Sequence, residues 1–345
     1  MAEESDVSIG DDGEREEAML TAARSVVRTC MQVRPHEHVL VVTDPSTAEV
    51  GRSLYEAAAE VTDRILMMMM PRSHRQGNEP PASLGDLMRR QNVVLLATRN
   101  SLTHTRARIT ASQQGARIAS MPGIDEEMLA IGGMTADYNA LQREISGLNP
   151  MLRRRRDVRV TSPTGTDITF RTGLRWVLED NGICNRPGQI TNLPAGKVFV
   201  LPKEGTMSGK IVIDGAWEGN LRDEPLTFLV EDGLVVSITG GDLAESIRAI
   251  LDEAKVGLRQ SKTDLVNTVA EFGFGMNSRA RRTGNRLEDQ VVRGSAYFGF
   301  GDNSALGGTA NVGVHMRGVI LKPTVELNDV DLVVEGKVTA RNRCI

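Results

Sequence analysis

The run GGTANVGVHMRGV at residues 307–319 sets an imidazole and a guanidinium two positions apart, His315 and Arg317. Read with Glu271 upstream, it offers a carboxylate and an imidazole of the kind that ligate metals, beside a cation. A divalent ion takes deprotonated carboxylate or neutral imidazole ligands and is repelled by guanidinium. The mixture of ligand and anti-ligand types is the feature to be explained.

Two kinds of element must position these residues. The run 38–43, HVLVVT, reads as a buried strand, followed by the turn Asp44-Pro45-Ser46-Thr47 and a helical stretch through Ala59. Strand, capped turn and helix make the repeating unit of a parallel sheet. The unit recurs with apolar runs at 65–70 and 92–98, a helix over about 103–114, and a fourth strand at 117–122. This alternation predicts an α/β, Rossmann-like N-terminal domain with helices on both faces of a parallel sheet. No Gly-rich dinucleotide fingerprint follows the first strand, so the layering does not imply NAD.

Near residue 150 the pattern changes. Asn149-Pro150 is expected to break a helix, and Arg153 to Arg156 form a charged connector read as a solvated linker. Gly-rich β patterns then follow at 157–162, 166–172, 197–201, 209–213, 226–230 and 234–239. The expected organisation is an acidic mobile tail over 1–16, a Rossmann-like domain over 17–150 and a β-rich α+β domain over 151–345. Met67 to Met70 read as a buried strand rather than a soft-metal site, because only alternate residues share a face. His36, His38, His74 and His104 lack metal-ligand spacing and read as structural or surface residues.

Composition narrows the partners. The 345 residues are 40% hydrophobic and 25% charged, enough for two separate cores. A formal net charge of -4 gives no electrostatic reason to bind nucleic acid or an anionic membrane. Cys30, Cys184 and Cys344 are few and far apart, which suits reduced thiols better than a disulfide framework. No run approaches the roughly 20 apolar residues that span a bilayer, and the acidic start lacks a signal-peptide pattern. A cytoplasmic protein with a small-molecule partner is expected.

Several segments then carry a family resemblance. NLPAGKVFVLP at 192–202 with Gly205, VIDG at 212–215, AEFGFGMN at 270–277, TGN at 283–285, YFGFGDN at 297–303, Gly307-Gly308 and VHMRGVI at 314–320 resemble the metallo-aminopeptidases of the aminopeptidase T and S type. The related 2,5-dihydroxypyridine dioxygenases share this framework. The resemblance covers about residues 150 to 330, with a looser agreement of layout before that, and it implies a self-associating scaffold, a homodimer or larger homo-oligomer.

The resemblance also implies a metal site, and this chain departs from it. Lys197 stands where the family carries a ligand Glu, Tyr297 where it carries a ligand His, and Arg317 where it carries the Asp of a His-x-Asp pair; Glu271 and His315 keep ligand identity. A unit charge about 4 Å from a like charge costs about 4 kcal/mol at an effective dielectric of 20, and a dication doubles that. No metal or other cofactor is therefore expected. Glu271 and His315 are assigned to proton transfer, Tyr297 to donation from a phenol made more acidic by nearby cations, and Lys197 to charge stabilisation or nucleophilic attack. Arg317 is assigned to a substrate carboxylate. In the other reading, Lys197 and Arg317 simply pair with Glu271 in a dead pocket.

Asp302 and Asn303 either line the pocket or form an ordinary turn. Glu288 and Asp289 are expected to pair with Arg282 or Arg286. Trp176 and Trp217 are either core anchors or stacking platforms. The function expected is metal-independent acid/base condensation or cyclisation, of the Pictet–Spengler kind, on a carboxylated amine or heterocycle in natural-product biosynthesis. The alternatives are a metal-dependent aminopeptidase, an iron-dependent ring-cleaving dioxygenase, and a non-catalytic small-molecule-binding protein.

Overall fold

The structure is a computed structural model that describes residues 11–152, 155–173, 178–217, 219–328 and 330–339. It divides into two compact units. One contains the residues up to Asn139 together with Gly182–Ala195; the other contains Ala140–Asn181 and the residues from Gly196 onward. The α/β class expected from the sequence is present, with parallel strands in the first unit and antiparallel strands in the second.

In the first unit the strands Val39–Thr43, Ile65–Met69, Val93–Ala97 and Arg117–Ser120 form a parallel sheet with Val39–Thr43 inside. The strands Val39–Thr43 and Val93–Ala97 are fully buried, which explains their unbroken apolar runs. The turn after the first strand closes as its residues dictate, with the Asp44 carboxylate accepting from the Ser46 N–H at 2.9 Å before helix Ala48–Ala59. A fifth parallel strand, Ile190–Asn192, comes from far along the chain and pairs with Arg117–Ser120.

Three expectations change here. Helix Asp12–Ser25 is capped by the Asp11 carboxylate and takes in part of the stretch read as a tail; residues 1–10 lie outside the described residues. Helix Tyr138–Leu152 runs through Pro150, because the proline falls in the last turn and removes only one backbone donor there. The methionine strand Ile65–Met69 is not buried. It is the edge of its sheet, with Leu66, Met67 and Met69 exposed by 53%, 43% and 51%.

The second unit holds two antiparallel sheets. The eight-stranded sheet includes Asp157–Thr161, Asp167–Arg171, Ser208–Ile213, Leu226–Glu231 and Leu234–Thr239. The five-stranded sheet runs in the order His315–Ile320, Ala296–Gly301, Val269–Gly275, Lys197–Val200, Leu178–Asp180. Aromatic rings join the two: Phe170 meets Phe272 edge-on at 5.4 Å between centroids, and Phe228 stacks on Phe300 at 4.4 Å. Trp217 stacks on Phe228 at 5.7 Å, so of its two readings the core anchor is observed. Trp176, Arg153 and Arg154 lie outside the described residues, while Arg156 donates to the Gly173 carbonyl.

Candidate functional site

Alternation along antiparallel strands sends successive side chains to opposite faces. In the five-stranded sheet Glu271, Gly273 and Gly275 share one face of their strand, and Phe272 and Phe274 point to the other, into the core. Cross-strand register extends the first face. Glu271 lies opposite Gly299, which lies opposite Arg317; Gly273 lies opposite Tyr297; Gly275 lies opposite Lys197, which lies opposite Asp180. Period-2 alternation thus gathers Lys197, Glu271, Tyr297, His315 and Arg317 on one surface.

Glycines make this face possible. A Cβ on Gly299 would come within 2.5 Å of the Glu271 Cγ, and one on Gly273 within 2.5 Å of the Tyr297 ring. The carboxylate and the phenol occupy the space that missing side chains leave. Glu271, Tyr297 and Lys197 form a buried floor, exposed by 0%, 0% and 2%. The side chains of His315 and Arg317 keep 19% and 24% of their exposure and are the part of the cluster that solvent reaches.

The polar contacts are ordered. Arg317 Nε donates to Glu271 Oε1, and His315 Nε2 lies 3.4 Å from the same oxygen. His315 Nδ1 lies 2.8 Å from the Asp302 carbonyl, which can only accept, so Nδ1 donates there, and Nε2 is turned toward the Glu271 carboxylate. Burial alone would push the Glu271 carboxyl up, but Arg317 and His315 outweigh it and hold it well below the usual carboxylate range. Arg317 is raised in turn, with Glu271 overcoming the effect of burial.

Lys197 does not pair with Glu271 as the dead-pocket reading had it. Its Nζ lies 3.1 Å from Asp180 Oδ2, a partner two strands from Glu271. Burial pulls the ammonium below its ordinary value despite Asp180. The expectation of a more acidic Tyr297 is also corrected: burial and the Glu271 charge push the phenol well above its ordinary value, although Arg317 pulls the other way. Tyr297 is a neutral hydroxyl. Its oxygen and Glu271 Oε2 are buried polar atoms with no hydrogen-bond partner among the described residues.

Asp302 and Asn303 belong to the turn. The Asp302 carboxylate accepts from Ser304 N, Val312 N and Gly313 N, and the Asn303 side chain accepts from Ala310 N. Their part in the site is indirect, through the carbonyl that orients His315. Asp289 accepts N–H bonds from Thr283 at 2.9 Å and Gly284 at 3.3 Å, with Arg282 acting on it at longer range, so backbone donors take the place expected of arginine side chains. Asp180 is the residue the sequence reading missed; an acidic position on a three-residue strand carries no periodic signal.

A resident metal is tested by the donor set. Among the described residues no group of three His, Cys, Asp or Glu side chains could hold an ion. The Glu271 oxygen nearest His315 already carries a guanidinium, and the buried Lys197 belongs to the same face. Glu271 and His315 as arranged here do not fit a metal centre.

Comparison with known proteins places this geometry in context. The model of the NicX family, 2,5-dihydroxypyridine 5,6-dioxygenase, matches residues 18–340. The 2,5-dihydroxypyridine 5,6-dioxygenase of Pseudomonas putida KT2440 is 24% identical over 213 residues, an alignment that covers 58% of this chain and 59% of that protein. The solved 2,5-dihydroxypyridine dioxygenase of the same organism superposes with a TM-score of 0.77 at 18% identity, over 96% of this chain and 99% of that one. Wild-type AmpT from Thermus thermophilus superposes at 0.67 and 14% identity, over 94% and 100%. These two structural likenesses show a common fold.

Proposed function

Because the chain belongs to the family of the 2,5-dihydroxypyridine 5,6-dioxygenases, we propose that it is an enzyme acting on a small, planar, anionic nitrogen heterocycle or carboxylated amine at the Glu271 face. The observation that carries this reading is the pair of orphaned oxygens on the buried floor, Glu271 Oε2 and Tyr297 Oη, beneath a partly exposed Arg317. A buried polar atom left without a partner is costly, on the order of 1–3 kcal/mol, so two on one face support a polar ligand there.

In this reading the terminal N–H groups of Arg317 bind the ligand's carboxylate or phenolate, since only its Nε is committed to Glu271. The Tyr297 hydroxyl donates to a ligand acceptor. Glu271, kept ionised, accepts a hydrogen bond from a ring N–H or hydroxyl, and His315 Nε2 takes or returns the proton. Lys197, held by Asp180, adds positive charge that favours a developing oxyanion. These residues supply acid, base and anion recognition, which suffice for a metal-independent condensation or cyclisation.

A second reading, oxidative ring opening, is favoured by the family match, and kinship backs it more directly than it backs condensation. The donor set around Glu271 speaks against it. The likeness to AmpT concerns the fold and lends no separate support to peptide hydrolysis. Elemental analysis of the purified protein, with oxygen uptake followed on 2,5-dihydroxypyridine, separates the readings. We expect no stoichiometric metal, oxygen-independent turnover on amine and carbonyl mixtures, and loss of turnover in Glu271→Gln. Stoichiometric iron together with oxygen uptake on the dihydroxypyridine overturns the metal-free reading and establishes ring opening.

A further inference from the structure

The sheet face that carries Glu271 is built in rows. Residues directly opposite one another across the strands form each row, and successive rows on one face lie two residues apart along a strand, about 7 Å. One row is Glu271, Gly299 and Arg317. The next is Leu178, Phe199, Gly273, Tyr297 and Val319. The third is Asp180, Lys197 and Gly275. A row of largely apolar side chains thus runs between two rows that carry charge.

Phe199 is the aromatic residue of that row left partly open. Tyr297 and Val319 are buried, whereas Phe199 is half-buried and packs against them. The Tyr297 hydroxyl reaches toward it. The phenol lies over Gly273, where a Cβ would come within 2.7 Å of the hydroxyl oxygen, and Phe199 stands on the far side of the same glycine. That hydroxyl has no hydrogen-bond partner among the described residues, and neither has Glu271 Oε2 in the adjacent row. An apolar ring kept partly open beside a few unsatisfied polar atoms is the composition of a small-molecule site, in which apolar walls supply contact and polar groups fix orientation.

We propose that Phe199 determines specificity at this face, as a wall against which the planar ring of an aromatic ligand packs while the ligand's anionic group reaches Arg317 in the neighbouring row. The inference rests on the reading of the Glu271 face as a ligand site, and it narrows the substrate class from carboxylated amines and heterocycles in general to flat, unsaturated rings. The physical reason is the shape and charge distribution of the two ring types. A planar π ring meets a phenylalanine offset-stacked or edge-on, with centroids about 4.5–7 Å apart, and gains from the matched quadrupoles. A puckered saturated ring of the same size and charge buries apolar area but has no quadrupole to match. With the rows only two residues apart, one small molecule can rest its ring on Phe199 and still place a hydroxyl or ring N–H at Glu271 and an anion at Arg317. Phe199 touches no reacting proton in this arrangement; it is a positioning residue.

Titration calorimetry of the full chain with 3-hydroxybenzoate and 3-hydroxycyclohexanecarboxylate tests this, since the two acids share charge, ring size and hydroxyl position and differ in planarity. Wild type should prefer the aromatic acid. Phe199→Leu, which keeps an apolar packing group and should retain the wild-type circular dichroism spectrum, is expected to lose about two- to tenfold in affinity for the aromatic acid and little for the saturated one. Phe199→Tyr should keep the preference. A wild type without preference, a preference unchanged in Phe199→Leu, or an equal loss for both acids overturns the wall, the last because lost packing against Tyr297 weakens any ligand alike. Arg317→Ala separates that failure from failure of the ligand-site reading itself. If it weakens both acids, the anion site stands whatever Phe199 does. If it weakens neither, or if wild type binds neither acid, the ligand-site reading falls and the wall with it.

Discussion

The buried ions of the second unit illustrate how a single side chain is understood only with its partner. Lys197 and Asp180 face each other at 3.1 Å with almost no exposure. Removing one member strands the other, which costs about 3–5 kcal/mol, whereas replacing both with apolar groups of similar size is often neutral. Chemical denaturation should therefore show Lys197→Met destabilised by about 3 kcal/mol and Lys197→Met/Asp180→Leu largely restored, while turnover stays low in both if the lysine charge serves the reaction. For Arg317→Ala, titration calorimetry with 2,5-dihydroxypyridine or its carboxylated analogues should show affinity reduced by roughly ten- to a hundredfold, the loss of a charge-assisted bond. At this scale the candidates at 197, 271, 297, 315 and 317 were legible from residue type alone, and the structure gathers them on one sheet face. The sequence did not tell which cation served which carboxylate, nor that desolvation would make Tyr297 less acidic, because burial is a property of the packed chain.

Elements explain why the cluster is compact. In AEFGFGMN and YFGFGDN, glycine and phenylalanine alternate at a period of two, which on antiparallel strands sends the phenylalanines to the core face and leaves Gly273 and Gly299 on the site face beside Tyr297 and Glu271. Gly299→Ala should consequently cost about 1–3 kcal/mol, the price of overpacking, and displace Glu271, with thermal melting and turnover falling together. The helix and loop at 283–289 supply a pH dependence. Burial raises Asp289 to about 6, above the usual aspartate value of about 3.9. The folded state thus holds this proton more tightly, and the stability it contributes at low pH is lost as pH rises from about 4 through about 6. Between those limits, unfolding free energies of wild type and Asp289→Asn should change relative to each other by on the order of 2 kcal/mol. Glu271 acts with the opposite sign, since its lowered value gives stability that is complete above the unfolded carboxylate range and is lost progressively as pH falls below it. Strand spans such as Leu226–Glu231 and Leu234–Thr239 lay within a residue of their sequence patterns, for alternation is local. The exposure of Ile65–Met69 was not legible, because five apolar residues look alike at the centre and at the edge of a sheet.

For the whole molecule, the chain passes between its two units more than once, so neither is a single stretch of sequence. The Gly182–Ala195 segment supplies the strand beside Arg117–Ser120, and the Cys184 N–H donates to the Cys30 carbonyl at 2.8 Å. A fragment of residues 1–150 leaves Arg117–Ser120 as an open edge. Hydrogen exchange should find its amides protected far less than in the full chain, whereas co-expression with residues 182–195 should restore part of the protection. By itself, the amino-acid sequence determined the α/β class, the kinship and the kinds of chemical group on offer. These rest on local periodicity and residue type, which need no knowledge of what lies nearby in space. The return of Ile190–Asn192 to the first sheet, the Lys197–Asp180 and Arg317–Glu271 partnerships, and the exposed methionine edge were decided only by tertiary structure. Each depends on contacts between residues distant in the chain, and the free energy of a buried charge or an open strand is set by those neighbours.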